Sequence, residues 1–516
     1  MKTMLAAILL LSTLSSARAL TIDVFHTSDV HGWYTARPAK WDKENSTRTI
    51  GGFPALAALA DADKNPHILL DSGDTFQGTP EGSLTKGMAT VKLMNQLGYS
   101  AVEVGNHDYD YAEPNLRNLV AASSFTWLGA NVYVKATGER ADYLKPYVII
   151  ERAGRRIAVI GLAGRHTSTS TFPAYVKHLE FRDEPAEAAR WTAEVKKLNP
   201  DAIIILAHVG FGGDVYGTTD ISTWTFTAAQ TANGTLPIAR GAKGANVVIG
   251  GHNHVGLTHG YFDKESSTLI AESYFGLTEV SKISLQFDDK TGKFTGATDE
   301  IVPLWTDKTG EDPAVAATIK GFTTEVDKEM GKVIGESAVD LGFSTRTLDS
   351  DIGNWFTDAM RRQAGTDAAF QNSAGIRSDL KKGPVRLRDI FQVMPFENTL
   401  VKLTMTGKQL ADLMTDNLRG GRSKLQVSGL KITFRNSPRG PADVTILHNG
   451  KPVGPEDKLT VATNNYLTTG GTGGKAFTEA GTTEDTMRPI RDLLIKDIGE
   501  NPVKAAPEGG RITQLE

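Results

Sequence analysis

The chain has 516 residues, too many for a single hydrophobic core, so two large domains are expected. Its formal charge of −4 argues against nonspecific binding to a nucleic-acid backbone. It contains no cysteine, which excludes a disulfide framework, a thiolate metal site and an acylated lipoprotein cysteine.

The first 19 residues have the pattern of a secretory signal peptide. Lys2 supplies a positive start, residues 4–11 form an apolar segment too short to span a bilayer, and Ala17 and Ala19 mark a cleavage site. The mature chain is therefore expected to begin at Leu20, in the periplasm or outside the cell. A retained anchor helix is the alternative. No later stretch reaches the roughly 20 uninterrupted apolar residues that a membrane span needs, so no membrane anchor is expected.

Five apolar runs, each typical of a buried strand, are followed directly by polar clusters. The runs cover residues 22–27, 68–70, 101–104, 202–206 and 247–249. The clusters contain seven potential metal ligands: Asp29, His31, Asp74, Asn106, His208, His252 and His254. In an open α/β layer the carboxyl ends of several strands converge on one crevice. The sequence therefore predicts a site for two divalent ions, and its nitrogen and oxygen ligands suit Zn, Mn, Fe or Co.

Two further roles follow from the residue types in these clusters. Asp74 is predicted to bridge the ions, because seven side chains suffice for two ions only if one carboxylate shares its oxygens. His107 is adjacent to Asn106 and is expected to point elsewhere, with Asp110 orienting its ring. This pair is predicted to meet charge that develops on the substrate. Five other histidines are interpreted as structural: His26, His67, His166, His178 and His259.

The ordered clusters resemble the calcineurin-like metallophosphoesterase superfamily, and two later motifs narrow the resemblance to the 5′-nucleotidase family. Residues 372–377, Asn-Ser-Ala-Gly-Ile-Arg, resemble that family's Asn-x-Gly-Gly-Ile-Arg signature. Residues 395–400, Pro-Phe-Glu-Asn-Thr-Leu, resemble its Pro-Phe-x-Asn-x-Leu motif. The resemblance implies an α/β fold, in which a four-layer metallophosphoesterase α/β sandwich domain is followed by a mixed α+β substrate-binding domain.

The pattern of predicted elements suggests where these domains divide. Strands and helices alternate in the first domain, which is predicted at residues 20–310. Residues 311–335 have apolar residues at helical spacing after Pro313 and are predicted to form a connecting helix with a hinge; a surface helix of the first domain is the alternative. The second domain is predicted at residues 336–516. Its predicted helices and strands include residues 352–364, 400–405, 407–417 and 458–463.

The resemblance implies that the second domain holds a nucleotide, with arginine and asparagine on the phosphate side and two aromatic rings around the base. Matching motif positions are Arg346, Asn372 and Arg377 at the phosphate, and Phe396, Asn398 and Tyr466 at the base. Packing in the core is the alternative for both rings. The family's Gly-Gly-Asp-Gly motif, whose carboxylate accepts from ribose hydroxyls, has Thr472 in place of aspartate, which leaves ribose recognition open.

The function implied is that of a secreted, metal-dependent phosphohydrolase of the 5′-nucleotidase type. A metal-activated hydroxide would attack the phosphorus of a nucleotide. A cyclic-nucleotide phosphodiesterase or a sugar-nucleotide pyrophosphatase is the alternative, and a thiosulfohydrolase a more distant one. An inactive secreted binding protein is the alternative without catalysis. The sequence does not determine metal identity, the preferred base, the number of phosphates removed or the oligomeric state.

Overall fold

The computed structural model describes residues 20–171, 173–212, 215, 217–228, 231–344, 347–396, 398–419, 423–438, 440–471 and 473–516. The chain forms two compact units. The first contains the described residues up to Gln77 and the range Thr85–Lys320, and the second contains Gly78–Leu84 and Gly321–Glu516. The division falls inside the helix Pro313–Met330. The domain limits and the hinge stay predictions.

Two six-stranded sheets form the framework of the first unit. The strands of the first sheet lie in the order Phe294–Pro303, Glu279–Phe287, Leu20–Thr27, His67–Asp71, Ala101–Glu103 and Thr126–Leu128. Those of the second sheet lie in the order Tyr261–Asp263, Thr268–Glu272, Val247–Gly250, Ala202–Ala207, Arg155–Leu162 and Tyr147–Arg152. Four consecutive strands of each sheet run parallel, which requires crossover connections between them.

The two sheets share an apolar core. Ile22 and Val24 of the first sheet pack in one buried cluster with Val159, Ile204 and other aliphatic residues of the second. Near-continuous aliphatic runs such as residues 202–207 suit strands that are buried on both faces. The sequence therefore places this unit in the α/β class before any helix is considered.

Helices cover the outer faces of the sheets. Glu184–Lys196 and Thr235–Gly241 bury Val195 and Ile238 in a cluster with Ile205 on the outer face of the second sheet. The other helices of the unit are Phe53–Ala62, Met88–Leu97, Ala112–Ala122, Thr167–Ser170, Pro173–Val176 and Thr306–Thr309. Short strand pairs join Arg37–Pro38 to Thr49–Ile50, Val132–Val134 to Leu179–Phe181, and Thr218–Thr219 to Gly256–Leu257.

The second unit contains a five-stranded and a four-stranded sheet. The strands of the five-stranded sheet lie in the order Leu425–Ser428, Ala368–Asn372, Lys458–Asn464, Thr399–Thr406 and Thr483–Pro489. Those of the four-stranded sheet lie in the order Lys451–Pro452, Gly440–His448, Leu430–Ser437 and Ile512–Leu515. Val333–Ser337 pairs with Gly383–Arg386. The helices are Pro80–Leu84, Asp351–Ala364, Leu387–Val393, Gly407–Asn417, Asn465–Thr468 and Ile490–Glu500.

Alternate residues of the five-stranded sheet face two separate cores. Ala369 packs with Phe356 of the helix Asp351–Ala364, whereas its neighbour Phe370 packs with Leu410 of the helix Gly407–Asn417. The latter helix begins at a capping box, in which Thr406 and Gln409 each satisfy the other's backbone N–H. Both helices agree with the sequence prediction to within one residue.

Candidate metal centre

The predicted ligands lie in the first unit, in loops that leave the carboxyl ends of parallel strands. The strands concerned are Leu20–Thr27, His67–Asp71, Ala101–Glu103, Ala202–Ala207 and Val247–Gly250. Because the carboxyl ends of parallel strands meet at one edge of a sheet, the loops converge. Side chains that are more than 200 residues apart in sequence, such as Asp29 and His254, therefore come into contact range, with Oδ1 of the former 3.6 Å from Nε2 of the latter.

Three overlapping groups of side chains each place their ligand atoms within 4.8 Å of one another. The groups are Asp29, His31 and His254; Asp29, Asp74 and His208; and His166, His208 and His252. Asp29 and His208 each belong to two groups, so the three groups form one continuous site. Asn106 joins it, since its Oδ1 lies 3.1 Å from Nε2 of His208. The structure thus brings together all seven residues predicted as ligands.

Hydrogen bonds to the backbone turn three of these side chains so that a potential ligand atom faces the site. The Nδ1 atoms of His31 and His208 each donate to a backbone carbonyl at 2.6 Å. A neutral imidazole that donates from Nδ1 keeps its lone pair on Nε2. The amide Nδ2 of Asn106 donates to the carbonyl of Ser170 at 2.8 Å, which leaves its oxygen facing His208.

Two buried atoms of the predicted ligands have no hydrogen-bond partner within the described ranges, Oδ1 of Asp29 and Nδ1 of His252. The other oxygen of Asp29 accepts from the backbone N–H of His252 at 2.9 Å and from the hydroxyl of Ser28. In addition, the Nε2 atoms of His31 and His254 lie 3.0 Å apart. A buried polar atom left without a partner costs about 1–3 kcal/mol. A divalent cation would satisfy these atoms together, so the donor set fits such an ion.

Two of the histidines are already in the neutral form that binds a metal, whereas a third is not. Burial lowers the pKa of His31 to about 4 and lowers that of His252 well below its ordinary value, so both rings are neutral at pH 7. Burial alone would lower the pKa of His208 as well, but the charge of Asp74 raises it to about 9. A cation that binds to His208 therefore displaces a proton.

The backbone at the site is strained. Five of the seven predicted ligands have positive φ angles: Asp29 (51°), His31 (49°), Asp74 (58°), His252 (80°) and His254 (56°). Residues other than glycine rarely adopt this left-handed region, and each such residue costs on the order of 1–3 kcal/mol. Strain of this kind persists only where the surrounding structure imposes it, and it is concentrated at functional sites.

The carboxylate of Asp108 holds two of the ligand loops together. One oxygen accepts from the backbone N–H groups of Asp74 at 3.1 Å and Gly105 at 2.8 Å. The other accepts from the N–H of Thr75 at 3.1 Å and from its hydroxyl at 2.8 Å. Gly105 permits this close approach, because a Cβ there would lie 2.3 Å from the backbone nitrogen of Asp74. This role of Asp108 was not predicted from the sequence.

His107 and Asp110 form the predicted pair. Nδ1 of His107 lies 2.7 Å from Oδ2 of Asp110, whose other oxygen accepts from the hydroxyl of Thr171 at 2.8 Å. Burial by itself lowers the pKa of His107, but the charges of Asp110 and Asp74 outweigh it and raise the pKa to about 10. The ring is therefore cationic at neutral pH and donates from both nitrogens. Its side chain is one-third exposed, so a substrate can reach it.

His166, which the sequence predicts to be structural, lies beside two of the predicted ligands. Its ring stacks on His252 with a centroid distance of 3.6 Å, and it belongs to the group that contains His208. The available signal was its position: it follows Gly164 shortly after the strand Arg155–Leu162, as the predicted ligands follow theirs. Because His166 belongs to no metal-binding motif, its position beside the predicted ligands could not be inferred from the sequence.

The predicted substrate-binding residues belong to the second unit, and Arg346 and Thr472 lie outside the described residues. Phe396 and Tyr466 are 42% and 43% exposed, which argues against the alternative of core packing. A hydrogen bond of 2.9 Å from Asn398 to Asn465 brings the segments that carry the two rings together.

The polar residues predicted at the phosphate differ in exposure. Arg377 is exposed, and its guanidinium carbon lies 5.8 Å from the ring centroid of Phe396. Asn372 is buried, and its oxygen accepts from Asn464 at 2.8 Å. Arg377 is therefore positioned beside one of the rings, whereas Asn372 is held within the unit by its hydrogen bonds.

Comparison with known families accounts for both units. A family model described as calcineurin-like phosphoesterase matches residues 22–256, which include all seven predicted ligands. A second model, described as 5′-nucleotidase, C-terminal domain, matches residues 333–479. This chain belongs to the 5′-nucleotidase family. The resemblance and the two-domain fold class predicted from the sequence are confirmed.

Individual relatives of this 5′-nucleotidase family member have low sequence identity to it but match most of its length. The trifunctional nucleotide phosphoesterase protein YfkN of Bacillus subtilis is 26% identical over 96% of this chain, which spans 35% of that protein. Protein UshA of Escherichia coli is 26% identical, with 90% of each chain covered. The chain thus spans only about a third of YfkN but most of UshA. The crystal structure of a 5′-nucleotidase precursor from Thermus thermophilus superimposes with a TM-score of 0.66 at 26% identity, covering 96% of this chain and 99% of that one.

Proposed function

We propose that this chain is a metal-dependent phosphohydrolase that removes phosphate from nucleotides. The observation that carries the proposal is one site in which seven ligand side chains converge and an oriented, cationic His107 stands beside them. Membership of the 5′-nucleotidase family supports the same reaction class. An inactive binding protein would have no need for His107 and Asp110 in this arrangement.

We assign the seven side chains to two divalent ions. Asp29, His31 and His254 would hold one ion, and Asn106, His208 and His252 the other. Asp74 would bridge them, in keeping with the sequence prediction. Zn, Mn, Fe and Co all suit these ligands. When bound, such ions polarise the phosphoryl oxygen and acidify a water molecule for attack on phosphorus.

His107 would act on the leaving group. Asp110 accepts from Nδ1 and fixes the ring, so the protonated Nε2 is the group free to donate. A ring that is cationic at neutral pH stabilises negative charge on the leaving oxygen as the P–O bond breaks, or gives it a proton. The backbone N–H of His107 donates to the carboxylate of Asp74 at 2.7 Å, and this hydrogen bond holds His107 beside the loop that carries Asp74.

The second unit would supply the base-binding surface. The exposure of Phe396 and Tyr466 supports a stacking role, since stacking on an aromatic ring contributes on the order of 1–3 kcal/mol per base. Arg377 beside Phe396 is available for an anionic group. We also assign Asn372, Asn398, Arg346 and Thr472 to this surface from their motif positions.

The segment of residues 1–19 supports export as a cleaved signal peptide, and the proposed location is the periplasm or the medium. In the described part of the chain, no helix has both the length and the apolar character that a membrane crossing requires. Mass determination of the exported protein tests this proposal, since cleavage after Ala19 gives an N-terminus at Leu20.

Hydrolysis of a substrate panel by the purified protein tests the activity. The panel contains nucleoside 5′-monophosphates, 3′-monophosphates, cyclic nucleotides and a sugar nucleotide, each assayed after chelation and after reloading with Zn, Mn or Co. We expect release of phosphate from 5′-monophosphates that depends on added metal. Asp74→Asn should lower both metal content and turnover by several orders of magnitude. Glu194→Gln, the same chemical change on an exposed helix, should leave both unchanged.

Three results would contradict the proposal. Turnover that is unaffected by complete removal of metal would exclude the metal site as the catalyst. A preference for cyclic or sugar nucleotides over 5′-monophosphates would favour the alternative phosphodiesterase or pyrophosphatase. Metal binding without hydrolysis of any member of the panel would favour a binding protein.

A further inference from the structure

His166 occupies the same structural position as the predicted ligands. The strand Arg155–Leu162 that precedes it runs parallel to Ala202–Ala207, and both end at the site. The backbone N–H of His208 donates to the carbonyl of Leu162 at 2.9 Å, so the two loops leave their strands side by side. The topology therefore delivers His166 to the edge of the sheet where the ligands converge.

The ring of His166 lies against two of the proposed ligands. Its ligand nitrogen and those of His208 and His252 all lie within 4.8 Å of one another. The ring stacks on His252 with an interplanar angle of 20°, and its centroid lies 5.9 Å from that of His208. Three imidazoles therefore meet at one end of the site.

The nitrogen Nε2 of His166 is buried and has no hydrogen-bond partner in the described residues. The same is true of Oδ1 of Asp29 and Nδ1 of His252, both of which are proposed to face a cation. Stacking alone would leave Nε2 of His166 unsatisfied, because a stacked ring interacts through its face and not through its in-plane lone pair. Coordination of a metal ion would satisfy it.

Gly164 provides the space for this ring. A Cβ at position 164 would lie 2.0 Å from Cε1 of His166 and 2.7 Å from the carbonyl oxygen of His208. The loop can therefore fold the imidazole back over the site only with glycine at this position. The local sequence Gly-Arg-His is thus suited to present His166 to the site rather than to solvent.

We propose that His166 is an additional metal ligand, which supplies Nε2 to the ion held by His208 and His252. This inference rests on the proposed function. The rings of His166 and His252 are nearly parallel, so ligation of one ion by both requires a turn of one imidazole about its Cβ–Cγ bond. Torsions of this type have broad minima, so the bond itself offers little resistance to the turn, and a metal–nitrogen bond would replace the stacking contact. Three imidazoles at this end would favour Zn, Fe or Co over harder ions such as Mg.

Cobalt binding by two variants of the full-length protein tests the proposal. His166→Ala removes both the nitrogen and the stacking surface, whereas His166→Phe removes the nitrogen and keeps an aromatic ring against His252. Chelated protein is titrated with Co(II), and bound cobalt is measured by elemental analysis and by its visible absorption. His178→Ala is the control, since His178 is an exposed histidine paired with Glu113.

We expect both His166 variants to weaken one of two cobalt sites by about tenfold or more and to change its absorption spectrum, while His178→Ala matches the unaltered protein. Wild-type affinity and spectrum in His166→Phe would overturn the proposal, because the ring would then act by stacking alone. Wild-type behaviour of His166→Ala would overturn it as well. If one of these two results is obtained while the unaltered protein binds cobalt and hydrolyses nucleotides, only the inference about His166 fails. If it binds no cobalt, the proposed function fails with it.

Discussion

Replacement of Asp108 tests whether the geometry of the metal site depends on a buried carboxylate that is not one of the predicted ligands. Asp108 is fully buried, and its two oxygens accept four hydrogen bonds from Asp74, Thr75 and Gly105. Burial and the charge of Asp74 raise the pKa of Asp108 to about 6, so the group is ionised at pH 7. Asp108→Asn keeps the shape of the side chain but replaces one acceptor oxygen with a donor.

The size of the effect follows from these four bonds. The new amide NH₂ is best placed toward Thr75, because the hydroxyl of Thr75 can accept a hydrogen bond from it. The backbone N–H of Thr75 then has no acceptor, and an unsatisfied buried donor costs about 1–3 kcal/mol. The bonds to Asp74 and Gly105 change from charged to neutral, each weakening by roughly 0.5–2 kcal/mol. We therefore expect a loss of about 2–7 kcal/mol in the free energy of unfolding. Displacement of Asp74 by even about 1 Å would lower kcat on the order of 10²-fold.

Urea unfolding, metal titration and nucleotide hydrolysis measure these effects in one set of proteins. Asp110→Asn is the matched control, because it makes the same chemical change in a buried carboxylate that orients His107 without joining the ligand loops. It should lower kcat with metal affinity unchanged, whereas Asp108→Asn should lower both. Wild-type unfolding free energy and metal affinity in Asp108→Asn would refute the argument that this carboxylate holds the site together.

His107→Ala should leave metal content unchanged and lower kcat by about 10²–10⁴-fold, as removal of a general acid does; a change confined to KM would show a binding contact instead. Burial raises the pKa of Asp299 to about 8, so the folded state binds an extra proton and stability should fall as pH rises from about 4 to about 8. Asp299→Asn should raise Tm at pH 9 but hardly at pH 4, and an equal shift at both would exclude titration as the cause. Because Thr472 replaces a carboxylate, 2′-deoxynucleotides should be hydrolysed within about tenfold of ribonucleotides in kcat/KM, and Thr472→Asp should widen the gap; a hundredfold preference for ribose in the unaltered protein would contradict this.

The amino-acid sequence by itself determined the fold class and most of the candidate site. Short aliphatic runs such as residues 202–206 are typical of strands buried on both faces, and several of them in one chain indicate a layered α/β fold. A polar cluster directly after each run places its ligands at a strand end, where parallel topology must bring them together. Asp29, Asp74 and His208 could therefore be predicted to share a site before any distance between them was known.

Only the tertiary structure decided which other side chains join that site. His166 and Asp108 belong to it because of how two loops fold back on their neighbours, with Gly164 and Gly105 permitting the approach. No local pattern distinguishes such a histidine from one that packs in a core. The exposure of Phe396 and Tyr466 was likewise undetermined, since an aromatic residue near a motif can face either way. The physical reason is that strand periodicity is a property of neighbours in sequence, whereas loop packing depends on contacts between residues far apart in the chain.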